Sequence, residues 1–526
     1  MTTGNSLTPS PPKDSLPVLQ PLLSEKWVWG MTELVTASLF GLLILVLSYV
    51  PLSVSPLWSS ATNFSVASTF PVTAGMPETQ PDFLTKVMFE KVRSWGGIRA
   101  LSDICSLVLI LSCGILFLAA KSDQHRTLLS MISVMTFALL VWMMASLIQP
   151  AVLGLLCWSL LIWVMTWKKS FWGQPIAVAI IMMFWVNAHT SFSVGLLLLI
   201  CNLVGVTCAR LWQNEPESSK HSWTHSAILL EAGMIGFLIN PDLMHRFWDG
   251  ILLSTIVQRP LILLWQPLVM SSSLGIIMGG SWLIVFGLSR ISSAQFHPGF
   301  LTTWLILSVG VCVSQELLIW YLPLTIVLIQ PLLADVIFKG KYSVKPAPLK
   351  KPEELTASDF RFTWISLLVI WVAFVFSPLS RHVIGGQPRH TEQVISQELP
   401  LAVVKHLRKQ PPPGQIFHPV EWGDWINYST GGRQQLFVSQ YSLPKTPPLV
   451  MIDYREAMGK GDAWETVFDR YRVSTAVLSI ENQPDLVKSL RDSSNWTPTF
   501  EDAQGIVFHR ASLVKTKEPE KETDNE

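Results

Sequence analysis

Long apolar runs, separated by short polar stretches, dominate this sequence and limit what it can fold into. About eleven of them approach the roughly 20 residues that a helix needs to cross a bilayer. They lie at residues 33–54, 101–120, 127–147, 150–167, 174–187, 192–211, 223–240, 272–290, 298–316, 319–337 and 362–379. Only 14% of the 526 residues are charged, whereas soluble proteins carry about 25%. The pattern predicts an α-helical polytopic membrane protein.

The distribution of lysine and arginine predicts how the chain crosses the membrane. Short basic loops favour the cytoplasmic side, and four of them occur here, at residues 119–126, 167–170, 209–220 and 338–351. Eleven spans place all four on the inside if the N-terminus is also inside. The polar, proline-rich residues 1–32 are then a disordered cytoplasmic segment. The loop 55–100 and everything after the last span lie outside.

The composition changes near residue 385, which ends a predicted transmembrane domain of residues 33–384. From 385 to 513, β-rich runs alternate with helical patterns, which is typical of a small α/β domain. The expected strands are at 415–420, 435–439, 449–453, 474–480 and 505–510. Residues 514–526 are charged and are expected to be a disordered tail. The prediction is therefore a bundle of about eleven transmembrane helices with a soluble extracytoplasmic α/β domain.

One apolar stretch, "MMFWVNAHTSFSVGLLLL" at 182–199, is broken by Asn187, His189, Thr190 and Ser191. A bilayer core offers such groups no water, so unpaired ones are costly. Two interpretations fit. The stretch is a helix start at the outer face, whose free N–H groups and positive dipole end favour phosphate, with Thr190 or Ser191 as N-cap. Alternatively, it is a plain turn whose side chains cap the helix and bond to their neighbours.

Two further groups of polar residues fall on the outer side. Arg246 follows a span within "NPDLMHRFW" and is a candidate for an anionic headgroup, although interfacial anchoring explains it equally well. The loop 55–100 contains Glu78 and Asp82. Either carboxylate could act as a general base on an acceptor hydroxyl near the membrane surface, or be a solvated charge on an interfacial helix.

Three acids lie inside or near the ends of the apolar runs, Asp103, Glu231 and Glu316. Ionisable groups within spans are candidates for function by default, and pairing with an arginine or a backbone donor within the bundle is the simpler alternative. Their position on unrelated helices argues against a single proton relay.

Several kinds of function find no support in the sequence. The chain has no P-loop, no G-x-G-x-x-G after a strand, no H-E-x-x-H and no G-x-S-x-G. Its net charge of +1 and scattered basic residues do not indicate nucleic-acid binding. The six cysteines lie in apolar runs without C-x-x-C spacing and are interpreted as small buried hydrophobes. No cofactor is predicted, and the need for a divalent metal stays open.

Several segments, taken together, are distinctive. In the membrane part they are "FWVNAHTSFSVG" (184–195), "FLINPDLMHRFW" (237–248) and "LLWQPL" (263–268). In the outer part they are "IFHPVEWGDWI" (416–426), "MIDYREAMGKGDAWETVFDRYRVSTAVL" (451–478) and "SNWTPTFEDAQGIVFHR" (494–510). With the long first outer loop and the C-terminal outer domain, they resemble a family of bacterial polytopic proteins placed with the C-type (GT-C) glycosyltransferases, most of all its planctomycete-type members.

This resemblance implies an active site at the outer face, a lipid-phosphate-linked sugar as donor, and an acidic residue in the first outer loop. The sequence departs from the family there. The stretch "SPLWSSATNFSVAST" (55–69), which corresponds to the family's D-x-D-x-W-W-H-like opening, contains no acid and no histidine. An arginine of the family is replaced within "SQELLIW" (314–320), and the glycine of N-x-H-G is Thr190. The first outer loop is therefore degenerate.

Three functions remain. In the first, the protein transfers a sugar from a polyprenyl-phosphate donor to a cell-envelope acceptor. Glu78 or Asp82 is then the catalytic base, and the donor phosphate is held by Asn187, His189, Thr190, Ser191 and Arg246. In the second, favoured by the missing acidic motif, a catalytically degenerate member binds a lipid-linked glycan or a partner. The third is a transporter, since broken helices occur there too, but no inverted repeat is visible. The expected location is the bacterial inner membrane.

Overall fold

A computed structural model gives the fold of the chain. It describes residues 30–52, 70–71, 83–121, 127–143, 151–167, 172–213, 218–240, 267–338, 360–386, 389–440, 442–443, 446–459 and 461–511. Of the segments predicted to be disordered, 1–32 and 514–526, residues 1–29 and 514–526 lie outside these residues. The described chain forms a helical bundle followed by a smaller domain with a mixed sheet. The predicted fold class, an apolar helical bundle with a small C-terminal α/β domain, is thus confirmed.

Each of the apolar runs contains a helix. The bundle consists of α1 (Met31–Ser48), α2 (Phe83–Ala120), α3 (Thr127–Met143), α4 (Val152–Met165), α5 (Gly173–Ala188), α6 (Phe192–Gln213), α7 (Ser218–Leu238), α8 (Ser273–Ile291), α9 (Pro298–Val313), α10 (Leu318–Phe338) and α11 (Arg361–Phe376). By length and composition, five described helices can cross a membrane, or six if the bent pair Arg361–Phe376 and Pro378–Ile384 is one span. Helices α3, α4, α5 and α9 are apolar but shorter.

Polar contacts tie the helices together at one end of the bundle. Ser130 Oγ of α3 accepts a hydrogen bond of 2.9 Å from Gln330 of α10. Asp335, near the end of α10, accepts a bond of 2.8 Å from Ser292, which follows α8. Gln174 at the start of α5 donates to the Val164 carbonyl at the end of α4.

Helix α2 changes direction at Gly97. This residue has φ 67° and ψ −157°, a backbone conformation that is essentially restricted to glycine. The first segment, 83–96, belongs to the predicted outer loop 55–100, and the second, 98–120, packs in the bundle. We call the first segment the outer-loop helix.

The smaller domain is built on five strands, β1 (Gln415–Phe417), β2 (Gln435–Leu436), β3 (Val473–Ser479), β4 (Trp496–Glu501) and β5 (Gly505–Arg510). Their order in the sheet is β2-β1-β3-β5-β4. Strands β1, β2 and β3 run parallel, whereas β5 is antiparallel to both β3 and β4. All seven residues of β3 are buried, so this strand is the centre of the domain.

Helices cover the sheet and lead into it. They are α12 (Arg381–Ile384), α13 (Thr391–Val394), α14 (Leu401–Lys409), α15 (Val420–Thr430), α16 (Pro448–Met458), α17 (Ala463–Arg470) and α18 (Pro484–Asp492). The expected strand at 449–453 is wrong, because these residues lie in α16. Its buried residues Val450, Met451, Tyr454 and Ala457 follow the period of a helix, which a five-residue apolar run does not reveal.

The domain is attached to the bundle through the chain that follows α1. The Leu52 N–H donates to the Val394 carbonyl, and the Ser396 N–H donates to the Leu52 carbonyl, both at 2.7 Å. These two bonds form a short parallel bridge between Leu52 and Ile395. The start of the predicted outer loop is thereby fixed to the start of the smaller domain, which we call the outer domain after its predicted location.

The cysteines are only partly as expected. Cys105, Cys113, Cys157 and Cys201 are buried, as small hydrophobes would be. Cys208 and Cys312 are exposed, which corrects the prediction for these two. Both lie on apolar helices, α6 and α9, where an apolar sequence neighbourhood does not tell a core-facing position from a lipid-facing one.

Candidate functional site

The polar break in the apolar sequence is a tight turn between α5 and α6. His189 has an extended backbone and follows Ala188, the last residue of α5. Its Nδ1 accepts the Ser191 N–H at 3.1 Å and lies 2.7 Å from Ser191 Oγ. Trp185 Nε1 donates to the same Ser191 oxygen at 3.1 Å. In the neutral ring, the imidazole proton of His189 is therefore on Nε2.

Two asparagines join this turn to the end of α7. Asn187 Nδ2 donates to the carbonyls of Met183, at 2.7 Å, and Ile239, at 3.0 Å. Asn240 Nδ2 donates to the Val186 carbonyl at 3.2 Å. The Ile239 and Val186 carbonyls lie at helix ends, so the two amides satisfy acceptors that have no partner within their own helix.

The four predicted phosphate ligands of this turn have different environments. Thr190 is half-buried between His189 and Ser191. Asn187 uses its amide N–H groups to join helices, whereas His189 and Ser191 bond mainly within the turn. The capping contacts expected of a plain turn are thus present. Arg246, the fifth predicted ligand, lies outside the described residues.

The outer-loop helix packs directly on this turn. The Thr85 hydroxyl donates to the carbonyl of Ala188, and Thr85 is 5% exposed. One turn later, Phe89 is buried in the core of the bundle. The predicted bases Glu78 and Asp82 lie outside the described residues, with Asp82 three positions before Thr85 in the sequence.

A cluster of charged residues lies near the other end of the outer-loop helix. Asp103, whose side chain is 4% exposed, binds Arg381 at 2.6 Å and His382 at 2.8 Å through Oδ2. Its Oδ1 lies 3.4 Å from Arg389 Nη2. Two guanidinium groups face one carboxylate, so the cluster carries a net positive charge. The paired alternative for Asp103 is confirmed. We call these four residues the Asp103 cluster.

Aromatic rings enclose the Asp103 cluster. The Trp95 ring stacks on His382 with 5.7 Å between centroids, and the Arg389 guanidinium lies 5.6 Å from the centre of the Tyr49 ring. Burial lowers the pKa of Arg389, and the charge of Asp103 raises it in part. A guanidinium keeps its proton in proteins nonetheless. Arg389 Nη1 is buried and makes no hydrogen bond to the described residues.

The outer-loop helix connects these features with the outer domain. Thr85 and Trp95 are ten residues apart, or about 15 Å along a helix, so one helix runs from the polar turn to the Asp103 cluster. Between them, the Arg93 guanidinium lies 5.9 Å from the centre of the Tyr428 ring on α15. Burial raises the pKa of Tyr428, and Arg93 lowers it in part. The outer-loop helix thus contacts the end of the bundle through Thr85 and the outer domain through Arg93.

The other acids of the apolar runs lie elsewhere. Glu231 is exposed on α7, and Glu316 is half-buried in the 3-10 turn Gln315–Leu317 before α10. Among the described residues, no three His, Cys, Asp or Glu side chains are close enough together to hold a metal ion.

Sequence reasoning missed the basic members of the Asp103 cluster, although a signal for them exists. The segment "RHVIGGQPRH" (381–390) follows the last apolar run and contains two arginines and two histidines. It lies on the side predicted to be outside, where basic residues are disfavoured. Basic residues on the disfavoured side point to a pairing or a function there.

The sequence matches no protein-family model and no curated protein. Among solved structures, the chain is similar to the archaeal oligosaccharyltransferase AglB from Archaeoglobus fulgidus in complex with an inhibitory peptide and a dolichol-phosphate. That likeness has 10% identity and a TM-score of 0.49, and it covers 92% of this chain and 74% of the other.

The chain is also similar to ArnT from Cupriavidus metallidurans. For the structure bound to undecaprenyl phosphate, the identity is 14% and the TM-score 0.42, over 92% of this chain and 98% of the other. For the apo state, the values are 13% and 0.45, over 89% and 95%.

Proposed function

We propose that this protein is a GT-C-like glycosyltransferase of the bacterial inner membrane, with its N-terminus inside and its α/β domain outside. It transfers a sugar from a polyprenyl-phosphate donor to a cell-envelope acceptor. The observation that carries the proposal is the contact between Thr85 and Ala188. A transferase of this kind needs the first outer loop and a phosphate site at the same end of the bundle, and this contact joins the loop to the polar turn.

In this proposal, the donor phosphate binds at the turn between α5 and α6. His189 donates Nε2–H, and Thr190 and Ser191 stand at the N-terminal end of α6, whose N–H groups and dipole favour an anion. Asn187 keeps the turn in place through its bonds to Met183 and Ile239. Arg246 adds a positive charge. The net positive Asp103 cluster, about 15 Å along the outer-loop helix, attracts the anionic donor to this end.

The catalytic base is Glu78 or Asp82. The carboxylate takes the proton from an acceptor hydroxyl, and the hydroxyl oxygen forms a bond to the anomeric carbon of the sugar. The bond between that carbon and the phosphate oxygen breaks, and the polyprenyl phosphate leaves with the electron pair. Asp103 is unsuited to this role, because two arginines and a histidine already occupy its oxygens.

A second candidate function is binding of a lipid-linked glycan without transfer. It is favoured by the absence of any acid or histidine in residues 55–69. In that case, the polar turn and the Asp103 cluster hold the lipid phosphate, and neither Glu78 nor Asp82 is needed.

The test is mass spectrometry of lipid-linked sugars and envelope glycans in a deletion strain. The strain is complemented with wild type, with the double variant Glu78→Gln/Asp82→Asn, with His189→Ala, or with Glu392→Gln, an exposed acid on α13 that serves as the matched control. We expect one envelope sugar to be lost on deletion and its loaded donor to accumulate. Wild type and the control restore the sugar, whereas the double variant and His189→Ala each restore less than about 1% of it, since removal of one positioned base or donor costs 10²-fold or more.

Restoration by the double variant would reject Glu78 and Asp82 as bases. If deletion leaves both the glycans and the lipid-linked sugars unchanged, transfer is rejected. Native mass spectrometry of the purified full chain with undecaprenyl phosphate then tests the binding function.

A further inference from the structure

A pocket of about 320 Å³ opens on the outer domain, between α17 and the edge of the sheet. Its side chains come from three places in the sequence. They are Trp464, Glu465, Asp469, Asn495, Trp496 and Arg510. We call it the Trp464 pocket. Trp496 and Arg510 are direct partners in the register of β4 and β5, so the sheet itself fixes one wall.

Arg510 is held in a defined position in this pocket. Its Nη2 donates to Asp469 Oδ1 at 2.7 Å, and its guanidinium lies 5.4 Å from the centre of the Trp496 ring. Trp496 in turn packs edge-on against Phe468, with 5.4 Å between the ring centroids. Because these contacts fix the guanidinium on two sides, the pocket is preorganised.

Two side chains that line the pocket each carry a donor without an acceptor among the described residues. Trp464 is 3% exposed, and its indole N–H is buried without a hydrogen-bond partner in the described part of the chain. The Nε of Arg510 is in the same situation. Buried donors without an acceptor are rare in folded proteins, and two in one pocket suit a ligand that brings oxygen acceptors.

The rest of the lining selects among such ligands. Glu465 and Asp469 are exposed carboxylates that accept hydrogen bonds, and Asn495 can both donate and accept. With two carboxylates and one guanidinium, the lining carries a net negative charge, which disfavours phosphate or an acidic sugar. A ligand with several hydroxyl groups, each both donor and acceptor, fits all of these groups.

We propose that the Trp464 pocket binds a neutral sugar residue. Its volume is at the lower end of the range for small-molecule sites, about 300–1,000 Å³, which suits a single ring. The site is distinct from the polar turn and the Asp103 cluster, since its lining shares no residue with either of them. Binding here does not depend on the transfer reaction.

The proposal is tested with the full chain in lipid nanodiscs, because glycoside detergents would compete for the pocket. Saturation-transfer difference NMR, which observes ligand protons, is recorded with the methyl glycosides of glucose, galactose, mannose and N-acetylglucosamine, and with glucuronate as the anionic probe. We expect at least one neutral glycoside to bind. The variant Glu465→Gln/Asp469→Asn, whose side chains are exposed, weakens that binding at least tenfold, and Trp464→Phe weakens it as well.

Glu501→Gln is the matched control, because this exposed acid pairs with Arg491 and does not line the pocket. We expect this variant to bind the neutral glycoside as tightly as wild type does. The proposal is overturned if no neutral glycoside binds, if the double variant binds every neutral glycoside like wild type, or if that variant loses binding of glucuronate and of no neutral probe. None of these outcomes bears on Glu78 and Asp82, so the proposed transfer function is judged separately.

Discussion

At the scale of single residues, His418 illustrates how packing sets the chemistry of a side chain. It follows β1 and is fully buried, with Nδ1 donating to the Pro419 carbonyl at 2.9 Å. A Cβ added at Gly423 on α15 would lie 2.5 Å from His418 Cε1, so only glycine allows this close approach. Burial lowers the pKa of His418 to about 4.

This shifted pKa predicts that acid weakens the outer domain. The unfolded chain takes up the proton below pH 6.5, whereas the folded chain resists it until about pH 4. Stability from His418 is therefore complete above pH 6.5 and is lost as the pH falls through that window. The loss amounts to roughly 3 kcal/mol. Thermal unfolding of the purified protein between pH 7.5 and 4.5 measures it.

The variant His418→Leu should show a shallower loss of stability with acid than wild type. His390→Gln, which changes an exposed histidine, should follow the wild-type curve. Equal slopes for wild type and His418→Leu would mean that other groups cause the acid sensitivity.

At the scale of elements, the sequence predicts the apolar helices well and the short elements of the outer domain poorly. The apolar runs are long, and each extends over several helical turns, so their helices follow from the pattern alone. The run at 449–453 is too short to distinguish the 3.6-residue period of a helix from the two-residue period of a strand. It lies in α16. Strand β4 contains Pro498, a residue that argues against a strand, and only its place at the edge of the sheet permits it.

The break of α2 at Gly97 gives a prediction for this element. An alanine there has space, since nothing lies within 4 Å of its Cβ position, but its backbone would be forced into a region restricted to glycine. We expect Gly97→Ala to cost about 1–3 kcal/mol of stability or to straighten the helix. Gly114→Ala, at an equally open position in the same helix, should be neutral or slightly stabilising.

Electron–electron double resonance between spin labels at positions 91 and 121 distinguishes these outcomes. The exposed cysteines Cys208 and Cys312 are replaced first. Straightening would move the distance toward the 45 Å or so of an unbroken helix of 30 residues. An unchanged distance together with unchanged stability would contradict the strain that we assign to Gly97.

At the scale of the whole molecule, several contacts between described residues connect the bundle with the outer domain, and three of them are distant in sequence and specific. They are the Leu52–Ile395 bridge, the packing of Arg93 on Tyr428 and the Asp103 cluster. Each joins residues more than 270 positions apart in the sequence. The candidate site is for this reason only partly predictable. The polar turn and Asp103 stand out locally, whereas the arginines that neutralise Asp103 are recognised only after the chain has folded back.

The Asp103 cluster predicts how strongly these parts depend on one another. Asp103→Asn keeps the volume but leaves the guanidinium groups of Arg381 and Arg389 without a counter-charge, although they are only 18% and 12% exposed. We expect a loss of about 3 kcal/mol in the free energy of unfolding, measured by thermal unfolding in nanodiscs. Arg491→Gln breaks an exposed ion pair with Glu501 and should cost less than about 1 kcal/mol. If Asp103→Asn costs no more stability than Arg491→Gln, solvent already compensates the charges of Arg381 and Arg389.

The Asp103 cluster also has an electrical consequence for membrane insertion. In the orientation that we propose, Arg381 and Arg389 end on the side that an energised bacterial membrane keeps positive. Carrying each elementary charge there opposes the membrane potential by about 2.3 kcal/mol per 100 mV. Asp103, on the same side, offsets one of the two. Asp103 lies 278 positions before Arg381 in the chain. By offsetting part of this cost, it supports the topology of the last span.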